Sequence, residues 1–180
     1  MNVFLWGFSG SGKTAIAMET VKIKVSHCKE KNKSVRVIVT IYGGAYNDQQ
    51  LLINMRKYLK NIDVQILTLY QLCKDQKCKY ELTQPKDTIN AIIRSLSSDK
   101  TDQLTVFVCD EIEPCRDDGQ TTPDWTDLAT PDNVEWILSI APASNSKETI
   151  NVKPPSDPSI LERKLLHAHR NSYQIRSVSI

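Results

Sequence analysis

Along this chain, short continuous apolar runs take turns with apolar stripes at helical spacing. The runs are Val3-Phe4-Leu5-Trp6, the stretch from Ser34 to Ile41 carrying Val35, Val37, Ile38, Val39 and Ile41, Val64 to Leu69, Leu104 to Cys109, and Val134 to Ile140. Their β-branched and aromatic content predicts five strands. The stripes are Ala17, Val21, Val25 and Cys28; Leu51, Leu52, Met55, Tyr58 and Leu59, with Arg56, Lys57 and Lys60 on the other face; and Ile89, Ile92, Ile93 and Leu96 behind Pro85. Spacing of i, i+3, i+4 and i+7 predicts a helix in each, and Pro85 suits a helix start. Leu161, Leu165, Leu166 and Ala168 extend the helical pattern to a closing segment, Ile160 to Ile175. Strands alternating with helices predict an α/β fold, a three-layer α/β/α arrangement around a mainly parallel sheet.

The first strand runs into Gly7-Phe8-Ser9-Gly10-Ser11-Gly12-Lys13-Thr14, the complete phosphate-loop pattern GxxxxGK[ST], and a helical stripe follows it. Glycines at 7, 10 and 12 admit backbone conformations closed to residues with a Cβ, so that successive amide N–H groups can converge on phosphate oxygens. The helix beginning near Lys13 brings its positive end to the same place. This pattern assigns Gly7, Ser9, Gly10, Ser11, Gly12, Lys13 and Thr14 to a nucleoside triphosphate, ATP or another NTP. Lys13 reaches the β- and γ-phosphates, and the Thr14 hydroxyl is placed for Mg²⁺.

Such a loop needs an acidic partner at the end of another buried strand. The run Leu104 to Cys109 is unbroken, as in a central parallel strand covered on both faces, and it ends in Asp110-Glu111. In open α/β sheets ligands lie beyond the carboxyl ends of the strands, where these acids stand. Asp110 is therefore the expected Mg²⁺ ligand and Glu111 the expected general base for an attacking water.

Length and composition bound this picture without redirecting it. With 180 residues, 40% of them hydrophobic, the chain suits one domain over residues 1–180. The 23 basic and 21 acidic residues give a net charge of +2, which neither demands nor excludes nucleic acid. No run approaches a membrane span, and the N-terminal apolar run is too short for a signal peptide, so an intracellular setting, cytoplasmic or nuclear, is expected. The five cysteines and three histidines show no zinc-type spacing, which leaves Mg²⁺ as the one expected metal. Residues 112–133 read as a solvated acidic loop, and 143–158, with Pro154, Pro155 and Pro158, as a polar connection.

In this order the pieces resemble the first RecA-like domain of a superfamily 1 helicase of the UvrD-like or Schlafen-like type. The loop at 7–14 is similar to the family's first motif and Asp110-Glu111 to its DExx box. More weakly, Val37 to Tyr46 resembles the strand and loop that contact single-stranded nucleic acid, Ile66 to Cys73 the T-hydrophobic-x-x-L-C segment, and Leu166 to Ser172 the motif whose arginine reaches the γ-phosphate. The resemblance implies a catalytic set of Lys13, Glu111 and the phosphate sensor Arg170. It also implies single-stranded DNA or RNA as a partner at Tyr42, Tyr46, Thr68 and Tyr70, with Arg56 and Lys57 on the backbone. The departures are specific. Glu113 stands where the family has Gln, and Ile140 to Ser144 lack the acid and glutamine that normally end the fifth strand. No adenine-reading glutamine precedes the first strand, and no second RecA-like domain with its trans arginine is included.

A trans arginine is worth roughly a thousandfold in rate, and unwinding needs two domains that open and close. The expectation is an ATP-binding, Mg-dependent domain with slow or absent hydrolysis on its own, excised from a longer helicase-like protein or served by a partner in trans. Two alternatives stand beside it. One is a nucleoside or nucleotide kinase, against which the missing zinc lasso and arginine lid count. The other is a non-catalytic, nucleotide-gated signalling or scaffold module.

Overall fold

Each predicted run becomes a strand paired with at least one other apolar run. The computed structural model describes residues 1–8, 10–42, 48–81, 84–99, 102–112, 124–140 and 152–165. In chain order the elements are β1 (Val3–Gly7), α1 (Lys13–Glu30), β2 (Val35–Ile41), α2 (Asp48–Tyr58), β3 (Val64–Thr68), α3 (Leu69–Asp75), α4 (Pro85–Ser98), β4 (Leu104–Ile112), β5 (Val134–Ile140) and β6 (Leu161–Leu165). The six strands form one sheet in the order β3-β2-β4-β5-β1-β6, and every pairing is parallel.

Alternation along the strands divides the core into two. Val3, Leu5, Val37, Val39, Ile41, Val106, Val108 and Ile137 pack with Ala17, Met18, Val21 and Val25 of α1 and Met55 of α2 on one face. Phe4, Ile38, Phe107, Trp136 and Leu138 pack with Leu69, Leu72 and Cys73 of α3 and the Ile89, Ile92, Ile93 and Leu96 stripe of α4 on the other. Helices thus cover both faces, as a parallel sheet requires.

Two elements differ from the sequence expectation. The segment read as the start of a closing helix is the edge strand β6, bonded to β1 with Val3 opposite Leu161 and Gly7 opposite Leu165. A four-residue interval between Leu161 and Leu165 fits a helix and equally fits the period of two in a strand. The charges between them decide it: the Trp6 indole donates to Glu162 at 2.8 Å, and the Lys164 ammonium lies 4.5 Å over the Trp6 ring. Charged side chains of this kind suit an exposed sheet edge. The rest of that closing segment, 166–175, lies outside the described residues.

At the other edge, β3 stops at Thr68 rather than running through Leu69. Thr68 is the N-cap of α3, its hydroxyl accepting from the Gln71 amide while the Gln71 side chain accepts from the Thr68 amide. That reciprocal capping box satisfies two amides at the helix start and ends the strand.

At the amino-terminal rim of the sheet, Glu135 of β5 accepts from the Lys24 ammonium of α1 and from the Met1 amino group. Burial raises the Glu135 pKa, but these partners outweigh it and hold the carboxyl below the ordinary glutamate value. The sign follows: a lowered folded pKa contributes stability that is present above the unfolded value and lost as the pH falls through the folded one. Denaturant unfolding from pH 7 down to pH 3 should show part of the acid-side loss of stability disappearing in Glu135→Gln. An unchanged pH slope in that variant would remove the ion pair from the account.

Candidate functional site

The phosphate loop is built where β1 meets α1. Gly10 and Gly12 have φ of 76° and 91°, values that glycine adopts without strain. Gly12 is the left-handed N-cap of α1, and its carbonyl accepts from the Ile16 amide at 3.1 Å. Gly7 serves a different need. A Cβ there would lie 2.0 Å from the Leu165 carbonyl oxygen, so only glycine lets β6 approach the base of the loop. Ser11 closes the turn through its amide, 3.2 Å from the Phe8 carbonyl. Ser9 lies outside the described residues.

Lys13, the first residue of α1, is buried, at 5% exposure. Its ammonium donates to the Gly7 carbonyl at 3.0 Å and the Phe8 carbonyl at 2.7 Å. Burial lowers its pKa, while the nearby carboxylates of Glu111 and then Asp110 act in the opposite direction. Those two acids, placed in the sequence 97 residues later, therefore share the electrostatic surroundings of Lys13. Thr14 follows on the same first turn and is half-buried.

The acids are displayed by an irregularity in β4. Cys109 pairs with Leu138 and Ile112 with Ile140, so β4 carries one residue more than β5 across this interval. The extra residue is accommodated by Glu111, which has φ 54°, a left-handed conformation that costs a non-glycine residue about 1 kcal/mol or more. Bulges of this kind re-aim side chains at strand ends. Asp110 itself stays on the α1 face, opposite Ile41, and its carbonyl accepts from the Tyr42 amide at 2.9 Å.

Asp110 is fully buried, and neither of its carboxylate oxygens has a hydrogen-bond partner among the described residues. The buried side chains with unpartnered polar atoms are Ser11, Asp110, Ser139 and Trp125. Trp125 belongs to the other face; the remaining three lie on the loop after β1 and toward the carboxyl ends of β4 and β5. Ser11 is in the loop, Asp110 ends β4, and Ser139 lies on β5, the strand between β4 and β1. Neither serine hydroxyl was singled out for this from sequence, although Ser139 is the one polar residue in the run Trp136-Ile137-Leu138-Ser139-Ile140.

Topology puts this place at a natural crevice. From β1 the chain passes toward β2 on one side, and from β5 it passes to β6 on the other. The adjacent strands β5 and β1 thus define a switch point, and ligands of open parallel sheets bind beyond the strand ends there. With β5 between them, β1 and β4 stand about 10 Å apart, two strand spacings, which leaves room for a phosphate group between loop and acid.

A divalent cation fits the donor set by its chemistry. A buried carboxylate without a partner is costly unless a positive charge meets it, and Asp110, with the Thr14 hydroxyl on the facing helix turn, supplies the hard oxygen ligands that Mg²⁺ prefers. No cluster of three or more His, Cys, Asp or Glu suited to a metal occurs among the described residues. A Mg²⁺ site of this type instead leaves most ligand positions to phosphate and water.

Of the residues expected to meet nucleic acid, Tyr42, Thr68 and Tyr70 lie at the carboxyl ends of β2 and β3, and Arg56 and Lys57 on α2. Tyr42 is buried at 6% and its hydroxyl donates to the Glu81 carbonyl at 3.0 Å. Tyr80, unremarked in the sequence, bridges outward, with ring centroids 6.3 Å from Tyr42 and 5.6 Å from Tyr70. Tyr70 is 56% exposed, and so is the member of this row with a face open to solvent. Thr68 is committed to capping α3. Arg56 donates to the Ile66 carbonyl at 3.3 Å, and Lys57 is exposed. Tyr46 and Arg170 lie outside the described residues.

A scan against protein-family models finds no match for this chain, and searches of curated proteins and of solved structures likewise return none.

Two of the three loop glycines differ in what a side chain would meet, since Gly7, with φ 150°, adds a collision to the strain that Gly12 carries alone. Gly12→Ala meets open space and should cost only the left-handed penalty, about 1–2 kcal/mol. Gly7→Ala should cost more, because its Cβ must displace the β6 backbone. Denaturant midpoints of the two variants test this, and equal losses would contradict the close approach of β6.

Proposed function

We propose that this chain binds a nucleoside triphosphate with Mg²⁺ between its phosphate loop and Asp110-Glu111, as a RecA-like P-loop domain of the superfamily 1 helicase type. One observation carries the reading. A buried lysine at the start of α1 and a buried, unpartnered carboxylate at the end of β4 lie near enough to act on one another electrostatically, in a sheet where β5 separates β4 from β1. Such a pair is poorly compensated by the protein alone and is well matched to an anionic ligand carrying a divalent cation.

Each residue then has a chemical task. The Lys13 ammonium exchanges the Gly7 and Phe8 carbonyls for β- and γ-phosphate oxygens. Amides of the loop and the first turn of α1 donate to the remaining phosphate oxygens. Asp110 and Thr14 are the residues that would hold Mg²⁺, which would offset the charge of the phosphates. Glu111, turned toward the crevice by its bulge, accepts a proton from a water as that water attacks the γ-phosphorus and the bond to the β-phosphate bridging oxygen breaks. Without a trans arginine this turnover is slow, and a single such domain does not unwind a duplex. Single-stranded DNA or RNA is the partner proposed for the exposed face of Tyr70, by stacking of a base.

Binding of a fluorescent ATP analogue tests the core of this reading. Lys13→Ala should weaken affinity roughly tenfold to a hundredfold, the value of a charge-assisted contact. Asp110→Asn should abolish the Mg²⁺ dependence of binding while leaving the ligand-free protein as stable or more so, since an uncompensated buried charge is removed. Undiminished affinity in Lys13→Ala would sink the phosphate-loop assignment.

Turnover is a separate question. Mg·ATP hydrolysis measured with and without single-stranded DNA or RNA should be slow, stimulated by nucleic acid, and lowered by Glu111→Gln without loss of nucleotide binding. Stimulation that survives Tyr70→Ala at full strength would move the strand-binding surface elsewhere.

A further inference from the structure

The end of β5 lacks the acid and amide that the helicase resemblance calls for, yet one residue earlier the strand carries a buried hydroxyl with no partner. Ser139 is fully buried, and its Oγ has no hydrogen-bond partner among the described residues. In an otherwise apolar strand, that is a cost without a structural return.

Its position says what it faces. β5 is regular from Val134 to Ile140, and Ile137, two residues before Ser139, packs on the α1 face. Alternation puts the Ser139 side chain on that same face. On one side Ser139 pairs with Leu5, two residues before the first glycine of the loop. On the other side Leu138 pairs with Cys109 and Ile140 with Ile112, which sets Ser139 abreast of the bulged Asp110-Glu111 step. Asp110 and Ser139 are therefore neighbours on the α1 face of adjacent strands, near the carboxyl ends of β4 and β5.

We propose that Ser139 is a positioning residue of the cation site: its hydroxyl hydrogen-bonds within the hydrated Mg²⁺ group that Asp110 holds, and fixes that carboxylate's orientation. The inference rests on the nucleotide reading above. Residues behind a metal ligand typically change metal affinity by roughly tenfold or more when removed. A hydroxyl that serves only this purpose has a signature that a structural hydroxyl lacks. Removing it relieves an unsatisfied buried group in the ligand-free protein, so that stability and metal affinity move in opposite directions.

The experiment uses the full chain, a ribose-labelled fluorescent ATP, a Mg²⁺ titration and thermal melting without ligand. Ser139→Ala should leave nucleotide affinity in EDTA unchanged and the ligand-free melting temperature unchanged or raised. The Mg²⁺ concentration for half-maximal enhancement of binding should rise roughly tenfold. Ser139→Cys, close in volume and a weak donor, should behave like alanine, and Ser139→Thr should restore the metal response. A Mg²⁺ response in Ser139→Ala identical to that of the unaltered chain overturns the inference and leaves the nucleotide reading standing. A lowered melting temperature with affinity lost equally in EDTA and in Mg²⁺ assigns the hydroxyl a structural role and also overturns it. Absence of any Mg²⁺-dependent binding by the unaltered chain overturns the nucleotide reading itself, and this inference with it.

Discussion

The constraint on which the rest of this structure turns is a single carboxylate, that of Asp110, held out of water without a hydrogen-bond partner among the described residues. A charge in that state is tolerated only if something positive stands close by and the surrounding fold cannot relax around it. Lys13 supplies the positive charge, itself half-committed to two loop carbonyls. The fold supplies the rigidity: β4 is flanked on both sides by parallel strands and covered on both faces by apolar side chains.

The sheet converts that local tension into a directed site. Faces alternate strictly along β1, β4 and β5 until the bulge, so Asp110 and Ser139 join the α1 side while Cys109 and Leu138 join the α3 and α4 side. At Glu111 the alternation breaks, and the strained φ there lets two successive acids serve the same end of one strand. The tyrosine row that begins at Tyr42 belongs to the α3 and α4 side, yet the Tyr42 amide bonds the Asp110 carbonyl. One backbone hydrogen bond thus joins the Asp110 end of β4 to the start of the tyrosine row.

Much of this was legible in the amino-acid pattern, for identifiable reasons. The five strands read from the sequence are runs rich in Val, Ile, Leu and Phe, four of them largely buried and β3 at the sheet edge, and the α4 stripe has one unmistakable period. Gly7 to Thr14 and Asp110-Glu111 could be paired because each is a local motif whose position at a strand end is set by the run before it. What escaped were features that depend on distant partners. The β6 strand shares its four-residue interval with a helix and is decided by Trp6, some 156 residues away. Ser139 has no neighbouring motif, and its significance arises only when β5 is inserted between β1 and β4. The start of α3 was the exception: Thr68 and Gln71 form a local signal, overlooked because the strand pattern ran on through Leu69.

The strand order also has a consequence in time. Of the six strands β1 is made before the others, yet its hydrogen-bonding neighbours are β5 and β6, where Val3 meets Ile137 and Leu161. Pairings so distant in sequence close late, because the chain between them must first be ordered. In a nascent chain the complete Gly7–Thr14 loop is therefore made long before β5 and β6, the two strands that hold β1 in the sheet.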